Sequence, residues 1–259
     1  MPMKKICSDL VIVHTEPVGN RYVLLKLTSD NPLPEVSAGQ FAQILVENSP
    51  KTFLRRPISI HDFSRERNEI SLLVAVVGDG TRALSHLNVG DKLNCLLPLG
   101  SSFTMPEDKD ERMLLVGGGV GIAPLLLFGL QLRAKGFDVE FLLGGKCSAD
   151  IPRKYEFERV GKVYITTEDG SDGEQGFVTN HSILGEKFSR IACCGPKPMM
   201  LSVAKYAHAR NIECEVSLEN MMACGLGACL CCVEKTVRGN VCVCKEGPVF
   251  NIKELTWQI

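Results

Sequence analysis

Six of the chain's twelve cysteines fall within residues 221–250, in the stretch MMACGLGACLCCVEKTVRGNVCVCKEGPVF. Cys224, Cys229, Cys232 and Cys244 carry the spacing C-x4-C-x2-C-x11-C. Three thiolates from one tight loop and a fourth returning from a distance is the plant-type arrangement for a [2Fe–2S] centre. Gly225, Gly227 and Ala228 keep the loop small, so its backbone can curl and aim N–H groups at sulfur. Four thiolates also suit structural zinc, but zinc sites usually use two short C-x2-C knuckles, and the first interval here is four residues. Cys231 adjoins Cys232, and Cys242 competes with Cys244 for the fourth position. A one-residue step reverses side-chain direction in extended backbone, and the expected set takes Cys232 and Cys244. Cys231 and Cys242, with Cys7, Cys95, Cys147, Cys193 and Cys214, read as small buried hydrophobes.

Four other stretches carry chemistry. In RRPISI (55–60) Arg56 can neutralise a diphosphate, Pro57 and Ile58 hold the chain extended, and Ser59 can hydrogen-bond the polar edge of a ring. In GDGTRALSHL (78–87) Gly78 and Gly80 permit a close turn, and Thr81 reads as the cap of a short helix whose free N–H groups favour phosphate. Leu73, Val74 and Ala75 form the strand just upstream, near enough to lie along the same ligand. VGGGVGIAPLL (116–126), with Gly118, Gly119 and Gly121, follows a strand and opens a helix, the setting for cradling a dinucleotide phosphate. It departs from the Rossmann fingerprint, because Pro124 follows and the next strand ends LLGGKC (142–147) without an acid; Asp138 reads as a solvated turn residue. In CCGPKPMM (193–200) a strand turns sharply into a helix at Pro196. Gly195 gives clearance over a flat ring, and Cys194 stands either near the carbon that exchanges hydride or in the core.

These stretches need elements to hold them. From residue 7 to 100 the pattern is short and β-rich: CSDLVIVH, RYVLLKLT, QFAQILVE, EISLLVAVV and DKLNCLLPL, separated by turn signals, which predicts an antiparallel barrel or sandwich. After the charged PEDKDER (106–112), strands alternate with helices, predicting a mostly parallel sheet that binds ligands at the carboxyl ends of its strands. Residues 218–259 hold too little apolar material for a core of their own, so an inorganic group is expected to hold them together. The expected division is 1–105, 106–217 and 218–259.

Composition narrows the function. With 29 basic and 30 acidic residues the formal net charge is -1, which argues against nucleic acid as a partner. Ser8 and Asp9 interrupt the amino-terminal apolar stretch before a secretory core could form, and the chain reads as cytoplasmic, where twelve cysteines argue for metal or redox work over disulfides. The apolar run 113–132 approaches transmembrane length, but its glycines and proline suit a strand, a loop and a helix start, so no membrane association is expected. The five histidines are scattered and read as structural.

Taken in order, RPIS, GDGT, GGGVGIAP and CGPKPMM resemble the ferredoxin–NADP reductase superfamily, which implies an FAD-binding β-barrel followed by a nicotinamide-binding α/β domain. With ENMMACGLGACLCCV and CKEGPVF the chain is similar, over essentially its whole length, to the electron-transfer subunits of type B dihydroorotate dehydrogenase. That resemblance implies FAD held by Arg56–Ser59, Leu73–Ala75 and Gly80–Thr81, a [2Fe–2S] cluster on Cys224, Cys229, Cys232 and Cys244, and NAD as electron acceptor. It implies as partner a separate FMN-containing catalytic chain that oxidises dihydroorotate in pyrimidine biosynthesis, with two copies of each chain expected. The nearest alternatives are the flavin and iron–sulfur subunits of NADH-dependent ferredoxin:NADP oxidoreductases, sulfide dehydrogenases and sulfhydrogenases. Some of these have aspartate where this chain has Cys224. A zinc-stapled binding module would explain the cysteines and leave the other motifs without a purpose.

Two further expectations follow. Lys146 offers one positive charge beyond the second α/β strand, while Arg153 and Lys154 read as solvated, so nothing embraces a 2′-phosphate and NAD(H) is expected over NADP(H). Met221, Met222, Leu226 and Leu230 flank the cysteines without neighbours enough to bury them all, which points to a subunit-binding patch.

Overall fold

The computed structural model describes residues 5–47 and 49–258; residues 1–4, part of the amino-terminal stretch read above, lie outside them. Six strands close an antiparallel barrel: β1 (Ile6–Val18), β2 (Tyr22–Thr28), β3 (Phe41–Ile44), β4 (Arg56–Ser64), β5 (Glu69–Ala75) and β6 (Lys92–Leu99), in the order β1-β2-β5-β4-β3-β6. Alternate residues point inward, and Leu10, Ile12, Leu25, Leu27, Ile60, Ile70 and Leu72 fill the interior. The sequence pattern picks out every strand but β4, whose proline obscures it. Pro57 falls in the half of β4 that pairs with β3 alone, so a missing N–H is tolerated. β4 joins β5 only from Ile60 onward, leaving Arg56–Ser59 splayed away from Leu73–Ala75. That gap is where the barrel opens. The helix α1 (Asp79–Ser85) lies beside it.

The second part begins with β7 (Met113–Gly118), a 3₁₀ turn (Gly119–Ile122) and α2 (Ala123–Ala134). The run 113–132 is thus a strand, a turn and a helix, and among the described residues no helix is long and apolar enough to cross a membrane. There follow β8 (Glu140–Gly145), α3 (Lys154–Val160), β9 (Lys162–Thr167), β10 (Glu174–Gln175), β11 (Arg190–Cys194), α4 (Lys197–Ala209) and β12 (Glu213–Ser217). The last stretch holds a small hairpin, β13 (Val233–Thr236) and β14 (Gly239–Cys242), then α5 (Val243–Glu246) and β15 (Val249–Asn251). The sheet order is β10-β9-β8-β7-β11-β12-β15, parallel except for β15. From β7 the chain builds outward to β8 and β9, then crosses to β11 and β12. The strand order therefore reverses between β7 and β11, the place where open α/β sheets bind ligands.

Two apolar clusters explain the assembly. One runs without a break from the barrel interior into α2 and the β-face beneath it, including Phe103, Phe128, Phe141 and Phe157. Ion pairs reinforce this junction: Arg153 bridges Glu16 and Glu156 at 2.8 Å each, His61 Nε2 lies 3.1 Å from Glu156, and Arg21 bonds Asp150. Arg153 is buried in this latch and Lys154 pairs with Asp172, so neither is the solvated residue expected from the sequence. The second cluster, on the α4 face, includes Leu218, Met222, Cys232, Val243, Cys244, Phe250 and Ile252 from the cysteine-rich stretch. That stretch shares the core of the sheet and adds β15 to its edge, an anchorage its composition does not advertise.

Candidate functional site

A cleft of about 470 Å³ opens between the splayed strands, in the size range of cofactor sites. Arg56, Pro57, Ile58 and Ser59 line it on one side, Leu73, Ala75 and Thr81 on another. Val74 alternates with Leu73 and Ala75 and faces the barrel core. Gly80 lies under Arg56, whose Cδ would stand 3.4 Å from a Cβ at that position. Thr81 is placed differently from the expectation: Gly78 is the N-cap and Thr81 is the third helical residue. From there its hydroxyl accepts the N–H groups of Val77 (2.9 Å) and Gly78 (3.0 Å), so it closes the turn from inside and leaves fewer free N–H groups for a phosphate. Arg55, the other arginine of the motif, holds the Gln43 and Asn94 carbonyls.

Residues given no cofactor role from the sequence complete the cleft: Phe41 and Leu54 from the barrel, Val120 and Ala123 from the β7–α2 turn, and Ser217 to Met222 with Cys231. Glu219 lines the cleft, and the partial loss of solvation there raises its carboxyl above the usual carboxylate range.

The two glycine-rich loops expected to hold the nucleotide meet at the β7–β11 reversal. Strand pairing sets Cys194 opposite Gly117, and Gly121 packs so closely on the next loop that a Cβ there would stand 2.5 Å from Gly195 Cα and 2.6 Å from the Cys194 carbonyl oxygen. Gly118 packs on Pro196 and Met199 in the same way, and Gly119 begins the turn. The structure thus brings Gly118, Gly119, Gly121, Cys194, Gly195 and Pro196 together at one end of the sheet. Cys194 is buried in the apolar cluster, and burial, with Glu219 nearby, pushes its thiol well up. Cys193 points to the opposite face.

The cysteine loop sits between the cleft and the barrel strands β3 and β6. Cys224 Sγ accepts the Leu226 N–H at 3.3 Å, and this bond, with help from the Cys229 and Ala228 N–H groups, draws its thiol down to about 6. Cys244 Sγ accepts the Gly227 N–H at 3.1 Å, while Cys232 Sγ accepts the Cys244 N–H at 3.3 Å. Burial, then the adjoining Cys232, pushes the Cys244 thiol up to about 12. Cys232 and Cys244 are buried, Cys229 is exposed, Cys231 turns to the cleft, and the Cys242 thiol donates to the Gly227 carbonyl at 3.6 Å. Among the described residues no three His, Cys, Asp or Glu side chains converge as ligands of a single ion. What the loop offers is a donor set of four thiols with backbone N–H groups directed at three of the sulfurs, which suits an anionic iron–sulfur centre.

Beneath this loop lies Gln43 on β3, completely buried, with neither atom of its side-chain amide hydrogen-bonded. Leaving a buried amide unpaired costs on the order of 1–3 kcal/mol per group. Of the apolar residues flanking the cysteines, Met221, Leu226 and Leu230 are exposed, Met221 at 83%, whereas Met222 packs inward.

Comparison with known proteins agrees with this arrangement. Residues 219–256 match the iron-sulfur cluster binding domain of dihydroorotate dehydrogenase B. A protein of Caldanaerobacter subterraneus subsp. tengcongensis named dihydroorotate dehydrogenase B (NAD(+)), electron transfer subunit, is 40% identical over 223 residues, 84% of this chain and 86% of that protein. Its namesake from Shouchella clausii is 35% identical over 98% of this chain and 99% of its own length. Among solved structures, one described for an NADH-dependent reduced ferredoxin-NADP oxidoreductase superposes with a TM-score of 0.86 at 27% identity, covering 96% of this chain and 90% of that one. An Amycolatopsis cytochrome P450 reductase shares the fold, with a TM-score of 0.70 at 23% identity over 82% of this chain and 67% of its own.

Proposed function

The chain belongs to the family of electron-transfer subunits of dihydroorotate dehydrogenase B, and on that premise we propose that it relays electrons from a dihydroorotate-oxidising catalytic chain to NAD+ in pyrimidine biosynthesis. The observation that carries the reading is the placement of the cysteine loop against the cleft: Cys231 and Met222 belong to the loop region and line the same space as Ser59 and Glu219. When bound, FAD supplies the exchange between single electrons and a hydride, and the [2Fe–2S] centre supplies single-electron transfer, so a one-electron entrance and a two-electron exit can share one chain.

The residues divide the task. Arg56 places a cation where a diphosphate needs one, and Ser59 offers a hydroxyl to the polar edge of the ring. Leu73 and Ala75 wall the cleft with apolar surface and keep water from the ring face. Gly118, Gly121 and Gly195 let backbone rather than side chain approach the nicotinamide nucleotide, and Pro196 fixes the turn into α4. Cys224, Cys229, Cys232 and Cys244 are the thiolate ligands in this reading, with the N–H groups of Leu226 and Gly227 stabilising negative charge on sulfur. The limits 1–105, 106–217 and 218–259 describe these three tasks.

Met221, Leu226 and Leu230 form the exposed apolar rim through which the catalytic chain docks, an FMN-containing subunit, with two copies of each chain in a cytoplasmic complex. NAD(H) is preferred over NADP(H), because Lys146 is a single cation beyond β8 and the next two are occupied, Arg153 by Glu16 and Glu156 and Lys154 by Asp172. The test is anaerobic purification followed by quantification of iron, acid-labile sulfide and released flavin. One FAD and two irons per chain are expected; zinc in place of iron, or FMN in place of FAD, would contradict the assignment.

A further inference from the structure

We propose that Gln43 is a positioning residue for the iron–sulfur centre, its buried side-chain amide donating Nε2–H to a sulfur of that centre and thereby raising its reduction potential. This rests on the reading that the cysteine loop holds a [2Fe–2S] centre, and goes beyond it by assigning a residue of the barrel to the centre's chemistry.

Three observations converge on Gln43. Its side chain has no exposure, and both Nε2 and Oε1 lack partners, a combination no other described residue shows. It packs directly beneath the cysteine loop: a Cβ at Gly225 would stand 2.7 Å from Gln43 Cγ and 3.3 Å from Gln43 Nε2. The missing side chain at 225, next to Cys224, is therefore what lets the amide reach the loop. Third, the surroundings are apolar. Phe41 and Leu99 pack with Cys232 and Cys244 in one cluster, and Leu99 Cδ1 shares the space under Gly225. A leucine or methionine at position 43 would satisfy such a site without stranding polar atoms, so the amide needs a partner that these side chains do not supply.

The register tells which partner. Phe41 and Gln43 share the outward face of β3, while Ala42 and Ile44 point into the barrel. Phe41 lines the cleft and Gln43 does not. One strand face thus presents its aromatic residue to the flavin site and its amide to the cysteine loop. Oxidised or reduced, the centre is anionic and its sulfurs accept hydrogen bonds; a donor stabilises the more negative reduced state more strongly, which raises the potential.

The experiment is an EPR-monitored redox titration of the cluster and FAD in the wild-type holoprotein and in Gln43→Met, which keeps the length of the side chain and removes the donor. Cluster iron should be retained, and the ratio of reduced to oxidised cluster at a fixed ambient potential should fall on the order of tenfold, ~59 mV for a one-electron couple, with the FAD potential unmoved. An iron-replete variant with an unchanged cluster potential, or one in which only FAD shifts, would overturn the proposal. A second measurement needs no variant: pulsed EPR of the reduced wild type, with ¹⁵N in glutamine side-chain amides, should show hyperfine coupling to the cluster, and an iron-replete sample without it would also overturn the assignment. Wild-type protein without iron would overturn the underlying reading itself, and the iron assay keeps that failure separate.

Discussion

At residue 121 what matters is the atom glycine lacks, since a Cβ would collide with the backbone of Gly195 and the carbonyl of Cys194. At residue 227 what matters is the backbone itself: φ is +81°, and the N–H so oriented donates to Cys244 Sγ. The β7–α2 and β11–α4 loops and the cysteine loop are all glycine-rich, yet in the first pair glycine lets two loops pack directly on each other while in the cysteine loop it turns donors toward sulfur. Their anchorage differs as well. The nucleotide loops stand on a sheet latched to the barrel by ion pairs around Arg153 and Glu156, whereas the cysteine loop is held by β15 and an apolar cluster. Two sites a short distance apart should therefore fail independently and under different insults.

The largest effect should come from Cys232→Ser, which removes a buried thiol at the centre of the loop. Dihydroorotate-to-NAD electron flow in the complex should fall on the order of 100-fold or more, exceeding the loss seen when only an outer-shell partner of a metal is removed. NADH-to-dye activity, which needs the cleft and the two glycine loops, should stay within about twofold, since Cys232 belongs to neither. Full electron flow with iron retained would break the separation of the two sites. Gly121→Val is the reciprocal change. The backbone of Cys194 and Gly195 faces the new side chain and cannot yield cheaply, so kcat/KM for NADH should drop about 10–100-fold, from ~1–3 kcal/mol of overpacking, while iron per chain remains that of the wild type.

Acid should sharpen the contrast in anchorage. Burial opposes ionisation of Glu156, but His61 and Arg153 overcome it and hold the carboxyl at about 2, down from 4.5. Because the folded value is the lower one, the stabilisation is fully present above pH 4.5 and is lost as pH falls from there toward 2; the shift corresponds to ~3 kcal/mol. Glu156→Gln should destabilise the protein by roughly 2–3 kcal/mol at neutral pH and flatten the acid limb of a melting-temperature profile. An unaltered acid limb would show that the latch does not carry the junction. The smallest expected effect is coenzyme choice: NADH should be favoured over NADPH by about tenfold in kcat/KM, equivalent to ~1.4 kcal/mol, and equal values would refute the argument from occupied cations.

Local pattern exposed some of this and hid the rest. The barrel strands show in alternation, and the phosphate-side loops show because glycine and proline punctuate a strand and a helix. β4 was obscured by Pro57, and β15 is three residues long, too short for periodicity to register. The cysteine spacing is a local fact and was readable; what lies under it was not. Gln43 looks like any polar residue in a strand, and only packing across 182 positions of sequence, from 43 to 225, reveals an amide without partners. Ser217 and Leu218 line the cleft for the same reason, being brought there by the sheet and not by a motif. Arg153 was misread as solvated because its partners Glu16 and Glu156 lie on different parts of the fold.

The central claim is that electrons enter this chain beside its cysteine loop and leave through its nucleotide loops. Co-expression with the FMN-containing dihydroorotate dehydrogenase chain, followed by anaerobic size-exclusion chromatography and dihydroorotate-driven NAD+ reduction on the eluted peak, tests it most directly. The account predicts co-elution and NADH formation that depends on both chains. Elution of this chain alone, with dihydroorotate unable to reduce its flavin while ferredoxin or sulfide can feed it electrons, would contradict it.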